Sequence, residues 1–370
     1  MVRSLDGRLA VGTAERAKAA ARTRVLLAGE LAVAGQGRPS LLERLAGRLR
    51  RAGDIVITTS SRPGRLWRAA DMLVTAWSAR TRVEVAVVEV DGAPGLRRAE
   101  VLTRMLTRAG VPVVHLLRGA TLAGVAAHDP GRLGRLLAAG SASVALTGHL
   151  HEALAELGGV SSVIVDPVEV GAYPKRARRT AVPSLLWVDD SGSVTGSEMA
   201  VEVLHALVSG GASLATEPAQ LTLVGPMGNE AVARAVEAAR RHGLEDRVLV
   251  AGPLRGGTAQ DLFAHHDVYV NAGDVDRAPI GVAEAMSAGM CVVSVDQGGA
   301  GYLIAHGVDG LLARPGDRDD MAATLLRLLR EPGLAERLST AAMHRAETFD
   351  WSHALPRWKD VLAHASTVGG

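Results

Sequence analysis

Asp267-Val-Tyr-Val-Asn271, Ala272-Gly-Asp-Val-Asp276-Arg277-Ala-Pro279, Ile280-Gly-Val-Ala-Glu284-Ala-Met-Ser-Ala-Gly289 and Met290-Cys-Val-Val-Ser-Val295 run consecutively and decide the fold of this chain. The first piece is a short apolar run suited to a buried strand. The second is a loop. From Gly281 the alanines, Glu284 and Met286 predict a helix stopped by Gly289, and 291–295 predicts a second strand. Gln297-Gly298-Gly299-Ala-Gly301 then offers bare backbone to a ligand at the head of a further helix, and 307–317 is a turn-rich return ending in Arg-Pro-Gly-Asp. Strand, loop, helix, strand is the repeating unit of a parallel sheet. In such sheets ligands settle outside the carboxyl ends of the strands, where helix N-termini present free N–H groups. Asp276 and Glu284 lie eight positions apart, so they can flank one bound molecule. A carboxylate can accept from both hydroxyls of a ribose, which suits Glu284. The plainer reading makes Glu284 a helix-surface acid and Asp276 a loop residue near a helix start.

The same alternation extends in both directions. Strands are predicted at 24–28, 54–59, 82–90 and 111–117, more weakly at 143–146 and 162–165, with helices at 40–51 and 95–108. The segment 166–183 holds three prolines and the basic run Lys175-Arg-Ala-Arg-Arg179, and breaks the pattern. A second alternation follows: strand 185–188, helix 198–208, strand 221–224, helix 230–242, strand 248–251. Helices are predicted at 321–330 and 334–347, then a last one through Trp358. This order implies an α/β architecture of two doubly wound, Rossmann-like domains. The boundaries are a basic N-terminal tail at 1–23, a first domain at 24–170, a second at 184–348 and a closing segment at 349–370. No residue-level repeat relates the halves.

Composition narrows the class. A chain of 370 residues, 48% hydrophobic and 22% charged, can build two cores and has ordinary soluble composition. Only 3% of residues are aromatic, too few rings for a dedicated nucleic-acid binder. Cys291 stands alone, which excludes an internal disulfide or a cysteine zinc site. His265-His266 beside Asp267 lacks a third ligand, so no metal and no cofactor is expected. No apolar run reaches the roughly 20 residues that span a bilayer, and the first residues lack a signal-peptide core, so a cytoplasmic location is expected. Arginines crowd 3–22, 38–68 and 175–179. Such clusters attract sugar phosphates, polyanions or an acidic membrane face, and more commonly are solvated surface. The first 22 residues read as a loose tail or a short peripheral helix at a membrane. Oligomeric state is not readable.

The run from Asp276 through Glu284 to Ser294, continued by Gly298-Gly299 and by Gly307-Val-Asp-Gly-Leu-Leu-Ala-Arg-Pro-Gly-Asp317, resembles the donor-binding half of family-four retaining glycosyltransferases, the group 1 type. The resemblance covers most of the chain from about residue 24, closely in the second half and loosely in the first. It implies the two-domain GT-B fold with a central cleft, a nucleotide-sugar donor as substrate and a sugar or other hydroxyl acceptor on the first domain. Two acids separated by seven residues hold the donor in that family; here they are Asp276 and Glu284, the first shorter than the usual glutamate. The Phe349-Asp-Trp351 run resembles the family's ending, where a final helix packs back on the first domain.

The resemblance also exposes a departure. The family carries an Arg and a Lys for the donor diphosphate after the first strand of the second domain, and this chain reads Leu186-Trp-Val-Asp-Asp-Ser-Gly-Ser-Val-Thr-Gly-Ser197. Asp189 and Asp190 would repel a diphosphate. Arg255 and Arg277 are the substitute cations, and Gly35, Gly37, Gly225, Gly298 and Gly299 the donors of backbone N–H groups. His115 occupies the neighbourhood of the histidine that the family places near the sugar, and Arg118 the acceptor side; a lone histidine there is as readily structural. The expected catalytic set is therefore His115, Asp276 and Glu284. Three functions fit in descending order: a retaining glycosyltransferase, a degenerate relative serving as an auxiliary or partner-binding subunit, and a nucleotide-sugar epimerase, for which no acid and histidine cluster assembles.

Overall fold

The computed structural model describes residues 22–31, 39–59, 65–119, 121–158, 162–188, 194–210, 218–225, 230–252, 258–273 and 280–368. In the first half, β1 (Arg24–Ala28), α1 (Leu41–Arg51), β2 (Ile55–Thr58), α2 (Arg65–Ala79), β3 (Val85–Asp91), α3 (Gly92–Arg108) and β4 (Val113–Arg118) alternate. They are followed by α4 (Leu122–His128), α5 (Pro130–Ala138), β5 (Ala142–Ala145), α6 (Gly148–Ala153) and β6 (Ser162–Val163). The α1 start has a chemical cause: Ser40 Oγ accepts from Glu43 N–H at 3.3 Å while the Glu43 carboxylate accepts from Ser40 N–H at 2.7 Å, the reciprocal capping box.

The second half contains β7 (Ser184–Val188), α7 (Val194–Ser209), β8 (Gln220–Val224), α8 (Glu230–Arg241), β9 (Val248–Ala251), α9 (Thr258–His265), β10 (Val268–Asn271), α10 (Ile280–Ser287) and β11 (Cys291–Val295). It closes with α11 (Ala300–Leu303), β12 (Leu311–Ala313), α12 (Arg318–Arg330), α13 (Leu334–Glu347) and α14 (Trp351–Val368).

All pairings between these strands are parallel. The sheet orders are β2-β1-β3-β4-β5-β6 and β12-β11-β10-β7-β8-β9. Each order reverses once, between β1 and β3 in the first sheet and between β7 and β10 in the second. Those reversals are where doubly wound sheets open a crevice. Strands buried on both faces are mostly apolar, as in β3, broken by Glu89 and Asp91, and β11, broken by Ser294.

Several outcomes differ from the sequence expectation. Part of the turn-rich stretch 307–317 is β12, three residues between turns and too short to show a period. Helices α2, α4, α5, α6 and α9 are not among the predicted ones. The final helix runs past Trp358 to Val368, and Trp351, Ala354, Trp358, Leu362 and Ala365 form one buried cluster with β1, β3, β4 and α1 of the first domain.

The connector 166–183 is bound to the second domain rather than free. Val168, Val170 and Tyr173 share a core with Val282, Met286, Met290 and Phe349. Its basic run is paired with acids: Lys175 with Glu347 at 3.0 Å, Arg176 with Asp267 at 2.5 Å, Arg179 with Glu336 at 3.9 Å. Arg178 is fully buried. Its guanidinium donates to the carbonyls of Phe263, Ala264, His266, Ala288 and Arg176. A cation at the ends of α9 and α10 satisfies carbonyls that a helix terminus leaves unpaired and opposes the negative end of each dipole. Burial, with like-charged Arg176 adding to it, brings the Arg178 pKa down to about 10, against the pull of Asp267. Through Arg176 and Arg178 the run is thus a fastening, while Arg179 stays exposed.

Candidate functional site

The second crevice begins where α7 starts. A Cβ at Gly196 would lie 2.8 Å from Gly273 Cα and 3.0 Å from its N. Only glycine lets the first turn of α7 reach the chain leaving β10, so the two strand ends that flank the reversal are brought together there. Ser197 fixes the same turn from the other side, its hydroxyl donating to Ala231 O at 2.7 Å. Asn271 ends β10 with its amide donating to Ser294 Oγ at 2.8 Å, which ties β10 to β11 at their carboxyl ends.

Glu284 sits one turn into α10, the helix that follows β10, and is 7% exposed. A buried carboxylate needs a donor. Tyr173 supplies one: its hydroxyl donates to Glu284 Oε1 at 2.5 Å, while its ring stands edge-on to Phe263 at 5.6 Å. The helix-surface reading of Glu284 is thereby removed. Tyr173 comes from the proline-bearing connector, where the sequence marked no functional residue; its one signal was being among three tyrosines in the chain. Gly298 takes a positive φ of 55° in the turn after β11, and Gly299 precedes α11. Gly225 lies at the carboxyl end of β8, its N–H donating to Ala251 O at 3.4 Å. Glu284, Gly225, Gly298 and Gly299 thus all stand at the carboxyl edge of one sheet. Asp276, Arg277, Arg255, Gly35 and Gly37 fall outside the described residues, as do Asp189 and Asp190.

At the first crevice Arg118, at the end of β4, donates to Glu89 Oε1 at 2.8 Å, and Glu89 Oε2 accepts from Glu30 N–H at 2.5 Å. Burial pushes the Glu89 carboxyl up from its ordinary range and the Arg118 charge pulls it back. Burial works against the Arg118 charge too, but Glu89 and then Asp91 outweigh it and hold that guanidinium above its usual value. Arg118 is one-third exposed, so it meets solvent at the crevice with its charge already answered.

His115 is not at that edge. It lies in the first half of β4, level with Val88 and Ser143, and is wholly buried. Its Nε2 is 3.0 Å from Thr103 Oγ1 of α3, and its ring fits against Gly140. Burial lowers its pKa to about 4. A neutral ring sealed under α3 cannot touch a sugar, so the catalytic assignment of His115 is withdrawn. His266 is likewise engaged, with Nδ1 2.7 Å from Leu262 O and Nε2 2.8 Å from Thr222 Oγ1. Among the described residues no group of three His, Cys, Asp or Glu could hold a metal ion. Burial raises the Cys291 thiol to about 12, leaving it inert.

The two carboxyl edges meet directly. Tyr302, just past the Gly298-Gly299 turn, donates its hydroxyl to Glu152 and lies 6.3 Å from the His149 ring, both on α6. A Cβ at Gly148 would strike the Tyr302 ring at 2.3 Å, so this glycine makes the contact between domains.

Residues 191–331 match the family model described as Glycosyl transferases group 1. That match covers most of the second domain and none of the first. A D-inositol 3-phosphate glycosyltransferase of Streptomyces bingchenggensis is 30% identical over 127 residues, 34% of this chain and 28% of the relative. One of Rhodococcus erythropolis is 27% identical over 272 residues, 66% of this chain and 61% of the relative. The chain therefore spans less than two thirds of the length of either relative. The solved structure of Anabaena HepE, in complex with UDP and glucose, superposes with a TM-score of 0.70 at 17% identity, covering 92% of this chain and all of that one. The shared architecture is GT-B, as the sequence resemblance implied. The group 1 match brackets the second crevice, from the loop before α7 to the end of α12. No helix among the described residues is long and apolar enough to cross a membrane.

Proposed function

We propose that the chain is a retaining glycosyltransferase that moves a sugar from a nucleotide sugar to a hydroxyl acceptor held by the first domain. The observation that carries this reading is Glu284: a buried carboxylate in the helix after β10, beside the strand-order reversal of a group 1 domain. There it would accept from the ribose hydroxyls, with Asp276 as the other acid that holds the donor. The bond from the sugar C1 to the diphosphate oxygen breaks as a bond from C1 to the acceptor oxygen forms on the same face. The acceptor proton leaves with the departing nucleoside diphosphate. Positioning and charge stabilisation supply the rate, with Arg277 and Arg255 as the candidate phosphate partners. HepE, solved with UDP and glucose, supports a uridine donor.

Isothermal titration of the whole chain with UDP, GDP and ADP tests the reading. One of them binds, and Glu284→Ala weakens that binding; a folded protein that takes none of the three at millimolar concentration ends it. Asp189 and Asp190, standing where the family has its Arg and Lys, favour a second reading as a non-catalytic auxiliary subunit. Binding of UDP-glucose without hydrolysis or transfer would select it.

A further inference from the structure

The chain has five tryptophans. Trp187, Trp351 and Trp358 are buried, while Trp67 and Trp77 are 72% and 56% exposed, and both are on α2. Val74 lies between them at 67% exposure; spacings of seven and three residues put all three on one side of the helix. Val101 of α3, 46% exposed, is presented on the same face. Between the two helices runs an open groove of about 850 Å³ floored by Leu73, Val74, Trp77, Val101 and Met105.

Its rim is basic. Arg80, Arg104 and Arg108 line it with no acid among them. Arg80 lies over the Trp77 ring at 3.5 Å. The acid nearest this face on α3, Glu100, is already held by Arg132 through two bonds of 2.6 and 2.7 Å. None of the three rim arginines makes an ion pair among the described residues.

We infer that this face docks on an anionic lipid bilayer. Indole rings prefer the headgroup level, where their apolar bodies leave water and their N–H groups stay wet. Unpaired guanidinium groups beside them meet lipid phosphates. A helix pair lying flat with its apolar side down and its arginines outermost is the geometry of interfacial binding. A second copy of the chain fits poorly, because it would bring six rim arginines together against two copies of one acid on this side of α2, Asp71.

Flotation of the full chain tests this, with vesicles of phosphatidylcholine alone or with about 30% phosphatidylglycerol, a composition that supplies the negative surface potential. The chain floats with the anionic vesicles, and the Trp67 and Trp77 emission shifts to the blue. Raising salt to about 0.5 M releases it. Arg104→Glu with Arg108→Glu weakens binding at least about tenfold, as does Trp67→Ala with Trp77→Ala. These side chains are exposed, so unfolding midpoints stay unchanged; Arg104→Gln with Arg108→Gln serves as the milder pair. The inference is overturned by equal binding to neutral vesicles, by no flotation, or by variants that float like the parent, which would put the contact elsewhere. It is also overturned by a dimer in sedimentation that Trp77→Ala dissolves.

Discussion

At the reversal of the first sheet, between β1 and β3, the carboxyl edge carries Glu89 and Arg118 bound to each other at 2.8 Å. At the reversal of the second, between β7 and β10, Gly196 touches Gly273, and the buried acid of the following helix, Glu284, accepts from the Tyr173 hydroxyl at 2.5 Å. Both crevices come from the same strand order. Topology fixes where each opens, and the residues fix what it can accept. A carboxylate answered by an arginine has its charge cancelled, whereas the hydrogen bond of a neutral phenol cancels none.

This contrast can be broken or sharpened, beginning with its framework. Arg178→Met leaves the carbonyls at the ends of α9 and α10 without their donor, and should cost about 4 kcal/mol in urea unfolding. A cost under about 1 kcal/mol would mean that the connector is not what holds the second crevice's floor.

The next effect concerns the first domain. The folded protein holds His115 neutral, with its pKa about 4 against an ordinary 6.5. The stability this contributes is complete above pH 6.5 and is lost as pH falls toward 4. The loss amounts to about 3 kcal/mol, and His115→Leu should abolish that part of the pH dependence. An unchanged pH profile in the variant would place the ring in contact with water.

Exchanging the two acids sets the crevices against each other. Glu89→Ala strands a partly buried Arg118 and should cost about 2 kcal/mol of stability, with nucleoside diphosphate affinity unchanged. Glu284→Ala should cut that affinity about tenfold, near 1.4 kcal/mol. The reverse pattern would move the donor to the first domain. Smallest is Tyr173→Phe, which keeps the ring against Phe263 and removes the hydrogen bond. We expect a loss of about 1 kcal/mol in affinity, read by titration; a tighter complex would show that the tyrosine competes with the ligand for Glu284.

Much of the architecture was legible. The limits of β1, β9 and β11 coincide with the apolar runs that predicted them, because each run is bounded by glycine or charge. Helix α2 was hidden, since Trp67, Val74 and Trp77 face outward and blur the period that marks a buried stripe. Glu284 was readable from its spacing to Asp276 and Gly289. His115 was misplaced because a parallel strand is buried on both faces, so a histidine in it gives no sign of which way it points. Arg178 looked like its neighbours; what separates it is where the ends of α9 and α10 fall, a fact of tertiary packing.

The main chain passes between the domains twice, once at the connector and once before α14, and the two passages touch: Val168 pairs with Asp350, and Val170 N–H donates to the Asp350 carboxylate at 3.0 Å. Two tethers gathered at one spot leave the far rim, where Tyr302 meets α6, free to part. Admission of a bulky molecule is then a swing about residues 168 and 350, with neither sheet asked to bend.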